Sequence, residues 1–214
     1  MCIRDSLGGI CLNCGCIPTK ALLRAAELKH NVSNLSEFGI EIEGGININL
    51  KNVIARSRKV AERLSIGVSH LMKKNKITVI DGVAKIQNKI ADGWQIAVEG
   101  KTNYLLESPN ILLATGARPR EISGMEADGD KILTYRDAMI PKKIPKSLLV
   151  VGSGAIGIEF ASFYNDMGVD VTVVEAMDRI LNVEDREISD IAHKSFEKRG
   201  IKITTVTAHE DGKA

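Results

Sequence analysis

The sequence is 214 residues long and carries 29 Lys and Arg against 27 Asp and Glu, a formal charge of +2 that argues for no polyanionic partner. Hydrophobic residues make up 44% and charged residues 26%, an ordinary globular balance with room for one large or two modest domains. Aromatic residues, at 4%, are too few for stacking platforms on single-stranded nucleic acid, and no apolar run is long enough to span a bilayer.

Residues 1–6 carry no pattern that assigns them. The densest signal follows at once: Leu7-Gly8-Gly9-Ile10-Cys11-Leu12-Asn13-Cys14-Gly15-Cys16-Ile17-Pro18-Thr19-Lys20. Cys11 and Cys16 stand five positions apart at the mouth of a helix, with Lys20 one turn beyond the second. A thiol reacts as its thiolate, which a helix N-terminus and a nearby cation both favour. The bland reading is that cysteines are small buried apolar groups. A structural disulfide framework is disfavoured, because no signal peptide is visible and all 4 cysteines fall within the first 16 residues. Zinc fits poorly as well, since no second CxxC or His pair completes a tetrahedron. With Gly8-Gly9 before and Ile17-Pro18-Thr19-Lys20 after, the pair reads as a redox dithiol. A cytoplasmic setting is expected.

Ile17 to about Lys29 is predicted as a helix with Pro18 in its first turn. Leu50 to Lys74 is predicted as a longer one, with Val53, Ile54, Val60, Leu64, Ile66, Val68 and Leu71 near helical spacing. The basic clusters Arg56-Ser57-Arg58-Lys59 and Lys73-Lys74-Asn75-Lys76 read as the wet face and the end of that helix. Ile77–Ile80 and Ala84–Ile86 read as strands. Gln95–Val98 and Asn103–Leu106, joined through Glu99-Gly100-Lys101, read as a hairpin. Asn110–Ala114 reads as a short buried strand running into Thr115-Gly116, where glycine lets the backbone approach something closely.

The second strong constellation is Leu148-Leu149-Val150-Val151-Gly152-Ser153-Gly154-Ala155-Ile156-Gly157. A GxGxxG alone means little. This one follows a β-branched strand, opens a helix to about Met167, and reaches a second strand, Val171–Val174, that ends in Glu175. Gly152 makes the turn, Gly154 admits a pyrophosphate to the backbone, and Gly157 lets helix and strand pack closely, with Ile156 beside them. The pyrophosphate then lies on the helix N-terminus. Glu175 accepts hydrogen bonds from ribose hydroxyls and repels a 2′-phosphate, so NAD is expected rather than NADP. Arg179, which could meet such a phosphate, is expected to pair with Asp178 or a carboxylate of the next helix, whose start reads Glu184-Asp185. Glu159, by itself, reads as a solvated glutamate on the first turns of the nucleotide helix. Asp211-Gly212 reads as a hairpin turn.

The segment Leu7–Lys20 resembles the active-site segment of the pyridine nucleotide-disulfide oxidoreductases, flavoenzymes that include dihydrolipoamide dehydrogenases, glutathione reductases and mercuric reductases. The resemblance covers nearly all of Leu7–Ala214. It implies an α/β architecture of the glutathione-reductase type, Rossmann-like, with FAD-binding and NAD(P)-binding domains. On that basis 7–120 is expected to be part of an FAD-binding domain carrying the cysteine helix, 121–146 a connection, and 147–214 part of an NAD-binding domain. The resemblance also implies truncation, without the family's leading FAD-binding βαβ unit or its C-terminal dimerisation domain.

Roles follow from the same resemblance. Cys11 exchanges with the substrate disulfide or dithiol, Cys16 faces the flavin, and Lys20 approaches the flavin N5 edge. Thr115 and Gly116 pass close to FAD, and Ala84 touches its adenine half. Glu159 sits near the nicotinamide and pairs with Lys20. Cys14 departs from the usual pattern and reads as packing or as a competing thiol. The run Val174-Glu175-Ala176-Met177-Asp178-Arg179-Ile180-Leu181 resembles the dihydrolipoamide dehydrogenases more than the NADP-linked glutathione reductases. The implied activity carries electrons from dihydrolipoamide through the Cys11–Cys16 disulfide and FAD to NAD+. The implied partner is a lipoyl-bearing subunit of a 2-oxo acid dehydrogenase or glycine-cleavage complex, and the parent is a homodimer, with no nucleic acid, membrane or metal. A sister disulfide or metal-ion reductase of the family, or an inactive nucleotide-binding fragment, is the alternative.

Overall fold

The computed structural model describes residues 6–205. The Asp211-Gly212 turn and His209 lie outside them. Three helices come first: α1 (Gly9–Cys14), α2 (Cys16–Ser33) and, after a single 3-10 turn at Leu35–Phe38, α3 (Leu50–Lys74). The helical periodicity therefore marks the limits of α3, where Asn49 caps the N-terminus by accepting a hydrogen bond from the Asn52 amide at 3.1 Å. α2 begins one residue earlier and runs four residues further than its apolar spacing suggests.

Two three-stranded sheets follow. β1 (Val83–Ile90), β2 (Gly93–Glu99) and β3 (Tyr104–Ser108) form an antiparallel sheet in that order. The expected hairpin is β2 and β3, with Val98 opposite Tyr104 and Ile96 opposite Leu106. A short helix α4 (Tyr135–Ala138), closed by a capping box between Thr134 and Asp137, leads into the second unit. There β4 (Ser147–Val151), α5 (Ala155–Asp166), β5 (Asp170–Glu175), α6 (Arg186–Lys198) and β6 (Lys202–Thr205) alternate, and the strands pair in parallel in the order β4-β5-β6. Asp185 caps α6 through the Glu187 amide at 2.9 Å. This is the βαβ arrangement expected of the glycine-rich motif.

Two strand expectations fail. Ile77–Ile80 and Asn110–Ala114 have no ladder partner among the described residues. The second run, expected to be buried, leaves Leu112 91% and Leu113 70% exposed. An apolar run becomes a strand only by pairing, and neither run joins a described ladder. Ile111 and Leu113 instead line a hollow of about 200 Å³ with Ile86 and Trp94 of the antiparallel sheet.

The core sits around α5. Ile158, Phe160, Ala161, Phe163 and Tyr164 are buried there with Val171 and Val173 of β5, Ile180 and Ile201. Leu22 and Ala26 of α2 join the same cluster, both at 0% exposure, so the cysteine helix is part of the nucleotide unit's core. Burying each such aliphatic side chain is worth about 1.5–3 kcal/mol. The Tyr164 hydroxyl donates to the Ala138 carbonyl at 2.7 Å, and its burial pushes the phenol well above its usual range. α2 is thereby held between α3 and α5.

Candidate functional site

The cysteine corner is shaped by two glycines. Gly8 has φ +91, and a Cβ there would lie 2.5 Å from the Leu12 side chain. Gly15 separates α1 from α2, and a Cβ on it would meet the Ile10 carbonyl oxygen at 3.0 Å and the Cys11 Cα at 3.1 Å. The missing side chain lets the chain turn tightly back on Cys11 before α2 begins. The expectation that both cysteines stand at the mouth of one helix is corrected by this turn: Cys11 lies inside α1, and Cys16 opens α2. Thr19 closes that first turn by donating its hydroxyl to the Gly15 carbonyl at 2.7 Å.

Cys11 and Cys16 carry free, exposed thiols, whereas Cys14 is 2% exposed and packs inside. A hydrogen bond with Cys16 raises the Cys11 thiol above its usual pKa, aided by partial burial and the Cys16 charge, against the opposing pull of Lys20. Cys16 stands at the start of the 18-residue α2, one helical turn before Lys20.

Lys20 and Glu159 meet. The ammonium donates to Glu159 Oε1, joining α2 to α5 across 139 residues of sequence. The Glu159 hydrogen bond raises the Lys20 pKa, against a desolvation effect that lowers it. Local sequence offers no hint of this partner for Glu159; the family resemblance does.

The nucleotide loop has the geometry that its glycines require. Gly152 stands at φ +96, and its amide donates to the Val174 carbonyl at 2.8 Å, tying the end of β4 to β5. At Gly157 a Cβ would fall 2.1 Å from the Gly152 carbonyl oxygen, so only glycine lets α5 approach the loop this closely. Around Gly154 a Cβ would meet nothing within 4 Å. The open space lies at the N-terminus of α5, where an anion's charge is favoured, and the residues fit a dinucleotide pyrophosphate. Ile156 is 56% exposed beside it.

Glu175 closes this loop. Its Oε2 accepts the Ser153 amide at 2.7 Å and the Ser153 hydroxyl at 2.6 Å, and its Oε1 accepts the Met177 amide at 3.0 Å. Burial works against the charge, but these hydrogen bonds outweigh it and hold the carboxyl below its usual pKa. Ser153, at 0% exposure, stands between two glycines and has no role that the motif itself assigns. Arg179 faces Asp178 at 3.6 Å and donates to the Asn182 carbonyl at 2.9 Å.

The remaining site candidates lie elsewhere. Thr115 and Gly116 are exposed, and Gly116 stands at φ +76 with Ile10 Cδ1 of α1 at 3.9 Å from a Cβ built on it. The turn thus passes within reach of α1 with Thr115 and Gly116 exposed, which leaves both open to a bound ring system. Ala84 is exposed on β1, opposite Val98, away from the cysteines in the chain's order of elements. The late histidine within the described residues, His193, pairs with Glu197 at 3.4 Å on α6.

One basic cluster departs from expectation. Arg56 and Lys59 are exposed, as a wet helix face requires, but Arg58 is half-buried. Arg56 donates to the Ala21 carbonyl at 3.1 Å, Arg58 donates to the Asn13 carbonyl and to Met139 Sδ at 3.5 Å, and Ser57 between them is 0% exposed. A cleft of about 580 Å³ between α2 and α5 carries Lys20, Arg24, His30 and Arg199, but its acids are matched to them. Arg24 meets Glu27 at 2.8 Å, and Arg199 donates to both oxygens of Asp166 at 2.6 Å. No group of three or more His, Cys, Asp or Glu among the described residues could hold a metal ion, and no described helix is long and apolar enough to cross a membrane.

Comparison with known proteins places the chain among relatives. A family model described as pyridine nucleotide-disulphide oxidoreductase matches residues 1–213. A dihydrolipoyl dehydrogenase of Rhizobium etli is 50% identical over 98% of the chain and 47% of its own length. One of Zymomonas mobilis is 48% identical over 96% and 43%, and one of Bacillus subtilis 42% identical over 94% and 44%. The crystal structure of LpdA from Mycobacterium tuberculosis superposes with a TM-score of 0.85 at 28% identity, over 94% of this chain and 44% of that one. The chain spans about half the length of the curated relatives it matches.

Proposed function

The chain belongs to the pyridine nucleotide-disulphide oxidoreductase family, and from that premise we propose that the whole protein is a dihydrolipoyl dehydrogenase, passing electrons from dihydrolipoamide through a Cys11–Cys16 disulfide and FAD to NAD+. The observation that carries the reading is the Lys20–Glu159 ion pair, which couples the cysteine helix to the nucleotide helix. The names of the relatives support the substrate.

The chemistry begins at exposed Cys11. A substrate thiolate attacks its sulfur, the Cys11–Cys16 bond breaks, and Cys16 leaves as a thiolate at the N-terminus of α2. The substrate's second thiol then displaces Cys11 from the mixed disulfide, so that one oxidised lipoyl group and two reduced cysteines result. FAD, when bound, supplies the two-electron relay from this dithiol to the nucleotide. Lys20, Ala84, Thr115 and Gly116 would hold it. Burial of Leu22 and Ala26 holds α2 against α5, and the Lys20–Glu159 pair on these helices orients its two side chains toward the reacting rings, a matter of orientation rather than of the ion pair's own energy. Gly152, Gly154, Ile156 and Gly157 receive the pyrophosphate of NAD, while the Glu175 carboxylate accepts the ribose hydroxyls and repels a 2′-phosphate.

Residues 7–120 then serve the flavin and 147–214 the nicotinamide, with 121–146 between. The protein works as a homodimer in the cytoplasm, with a lipoyl-bearing subunit of a 2-oxo acid dehydrogenase or glycine-cleavage complex as partner. The test is steady-state turnover of the full-length protein with dihydrolipoamide or reduced glutathione, and with NAD+ or NADP+. Turnover with dihydrolipoamide and NAD+ that vanishes in Cys11→Ser and Cys16→Ser is expected. A preference for glutathione, or full turnover by Cys16→Ser, refutes it.

A further inference from the structure

Three side chains on α3 reach across to the main chain on both sides of the cysteine pair. Ser65 donates to the Leu7 carbonyl at 3.5 Å, Arg58 to the Asn13 carbonyl, and Arg56 to the Ala21 carbonyl at 3.1 Å. As the α3 numbers rise, their partners' numbers fall, so α3 lies antiparallel to the segment and splints it. The three carbonyls lie before Cys11, between the two cysteines, and after Cys16.

The middle tether bears most directly on the chemistry. Asn13 is in the last turn of α1, where carbonyls have no partner within the helix and carry its partial negative charge. This negative end adjoins the residue that opens α2. The Asn13 side chain is occupied elsewhere, donating to the Leu7 and Gly9 carbonyls at 3.0 and 2.9 Å, so Arg58 is the group that answers the Asn13 carbonyl. Its guanidinium is permanently charged and partly buried, and its second nitrogen is seated on the sulfur of core residue Met139.

We propose that Arg58 is a positioning residue for the Cys11–Cys16 pair: by binding the Asn13 carbonyl it holds the α1–α2 corner in register and offsets the negative end of α1, favouring the reduced, thiolate-bearing form of the pair. This rests on the reading of Cys11 and Cys16 as the redox couple. Arg58 touches neither sulfur and acts through the backbone between them. The geometry separates it from Lys59, which is exposed on the same helix and tethers nothing in the cysteine segment.

The test uses the full-length flavoprotein carrying Arg58→Gln, Arg58→Lys or Lys59→Gln. Two readouts are taken: the rate of iodoacetamide alkylation of the reduced pair against pH, and the fraction of Cys11–Cys16 disulfide in a fixed glutathione buffer, mapped by mass spectrometry. In Arg58→Gln the alkylation rate at neutral pH should fall at least about threefold, its pH midpoint should move up, and the disulfide fraction should rise, as for a thiolate that loses a cationic neighbour. Arg58→Lys, which keeps the charge and folds without a new cavity, should recover at least half of the loss, and Lys59→Gln should match the parent. Affinity for NAD+ should be unchanged throughout, because the tether does not reach the Gly152–Glu175 loop. If Arg58→Gln lowers the melting temperature but leaves alkylation and redox equilibrium at parental values, Arg58 is structural only and the proposal falls. If Arg58→Gln does not fold, Arg58→Lys decides: the proposal is refuted unless its rate lies between the parent's and about one third of it. If the parent itself forms no Cys11–Cys16 disulfide, the redox reading fails first and this proposal with it.

Discussion

Two glycines of the nucleotide loop allow the roles of fold and ligand to be separated by single methyl groups. At Gly157 the added Cβ would fall 2.1 Å from the Gly152 carbonyl oxygen, about 1 Å inside the closest approach that real Cβ atoms make. Backbone, and not a flexible side chain, must give way, so α5 or the loop shifts by that amount. An overpacking cost of about 1–3 kcal/mol follows. At Gly154 the same methyl meets nothing within 4 Å, and the backbone stands at φ −64, ψ 172, which alanine adopts freely. Gly154→Ala should therefore leave stability unchanged or raise it by about 0.4–1 kcal/mol, through the stiffer unfolded chain. Its methyl, however, occupies the space at the α5 N-terminus reserved for pyrophosphate, and NAD affinity should fall by at least about tenfold, or 1.4 kcal/mol. Thermal denaturation and calorimetric titration with NAD+ on the full-length protein read the two effects apart. If Gly154→Ala melts as early as Gly157→Ala, or binds NAD+ as the parent does, the assignment of Gly154 to the ligand is wrong.

Other consequences are as direct. Lys20 is 61% and Glu159 25% exposed, so their ion pair contributes at most about 0.5–1 kcal/mol to stability after solvent screening. Glu159→Gln should accordingly melt within about 2 °C of the parent, yet lower turnover by about 10- to 100-fold through lost orientation. Parental turnover would remove the pair from the catalytic arrangement. The Glu175 carboxyl is held below its usual pKa, so its contribution to folding is present above pH 4.5 and is lost as the pH falls through the lower folded value. Glu175→Gln should flatten the melting temperature's decline below that pH and narrow the NAD+ over NADP+ preference; an unchanged preference would place ribose recognition elsewhere. Cys14 is 2% exposed, so Cys14→Ala should cost about 1 kcal/mol and leave turnover intact, whereas faster turnover or less disulfide scrambling, seen by peptide mapping, would make it a competing thiol.

Where a signal was local, the fold followed it. Apolar spacing marked α3 and the β2–β3 hairpin, and the run from β4 through Gly157 to Glu175 produced the parallel unit with its strand, turn and helix in order. The apolar runs Ile77–Ile80 and Asn110–Ala114 misled, because periodicity and β-branching report what a segment could pair with, not whether a partner lies alongside. Arg58 misled in the opposite sense: a charge on a helix reads as solvated until another backbone is known to lie within reach.

The amino-acid sequence alone determined the chemistry-bearing residue types and their spacing: two cysteines five positions apart, the three glycines that make a nucleotide loop, and the acid at the end of β5. Each depends on a few neighbouring dihedrals and so is written in consecutive residues. The tertiary structure brings Lys20 to Glu159, a pair that the family resemblance implied, and it alone decided that Ser153 holds Glu175 and that Arg58 ties down Asn13, partners separated by 139, 22 and 45 residues. Those contacts exist because α2 gives Leu22 and Ala26 to the core beneath α5, and burial of these apolar faces sets the distance between charges that local sequence cannot place.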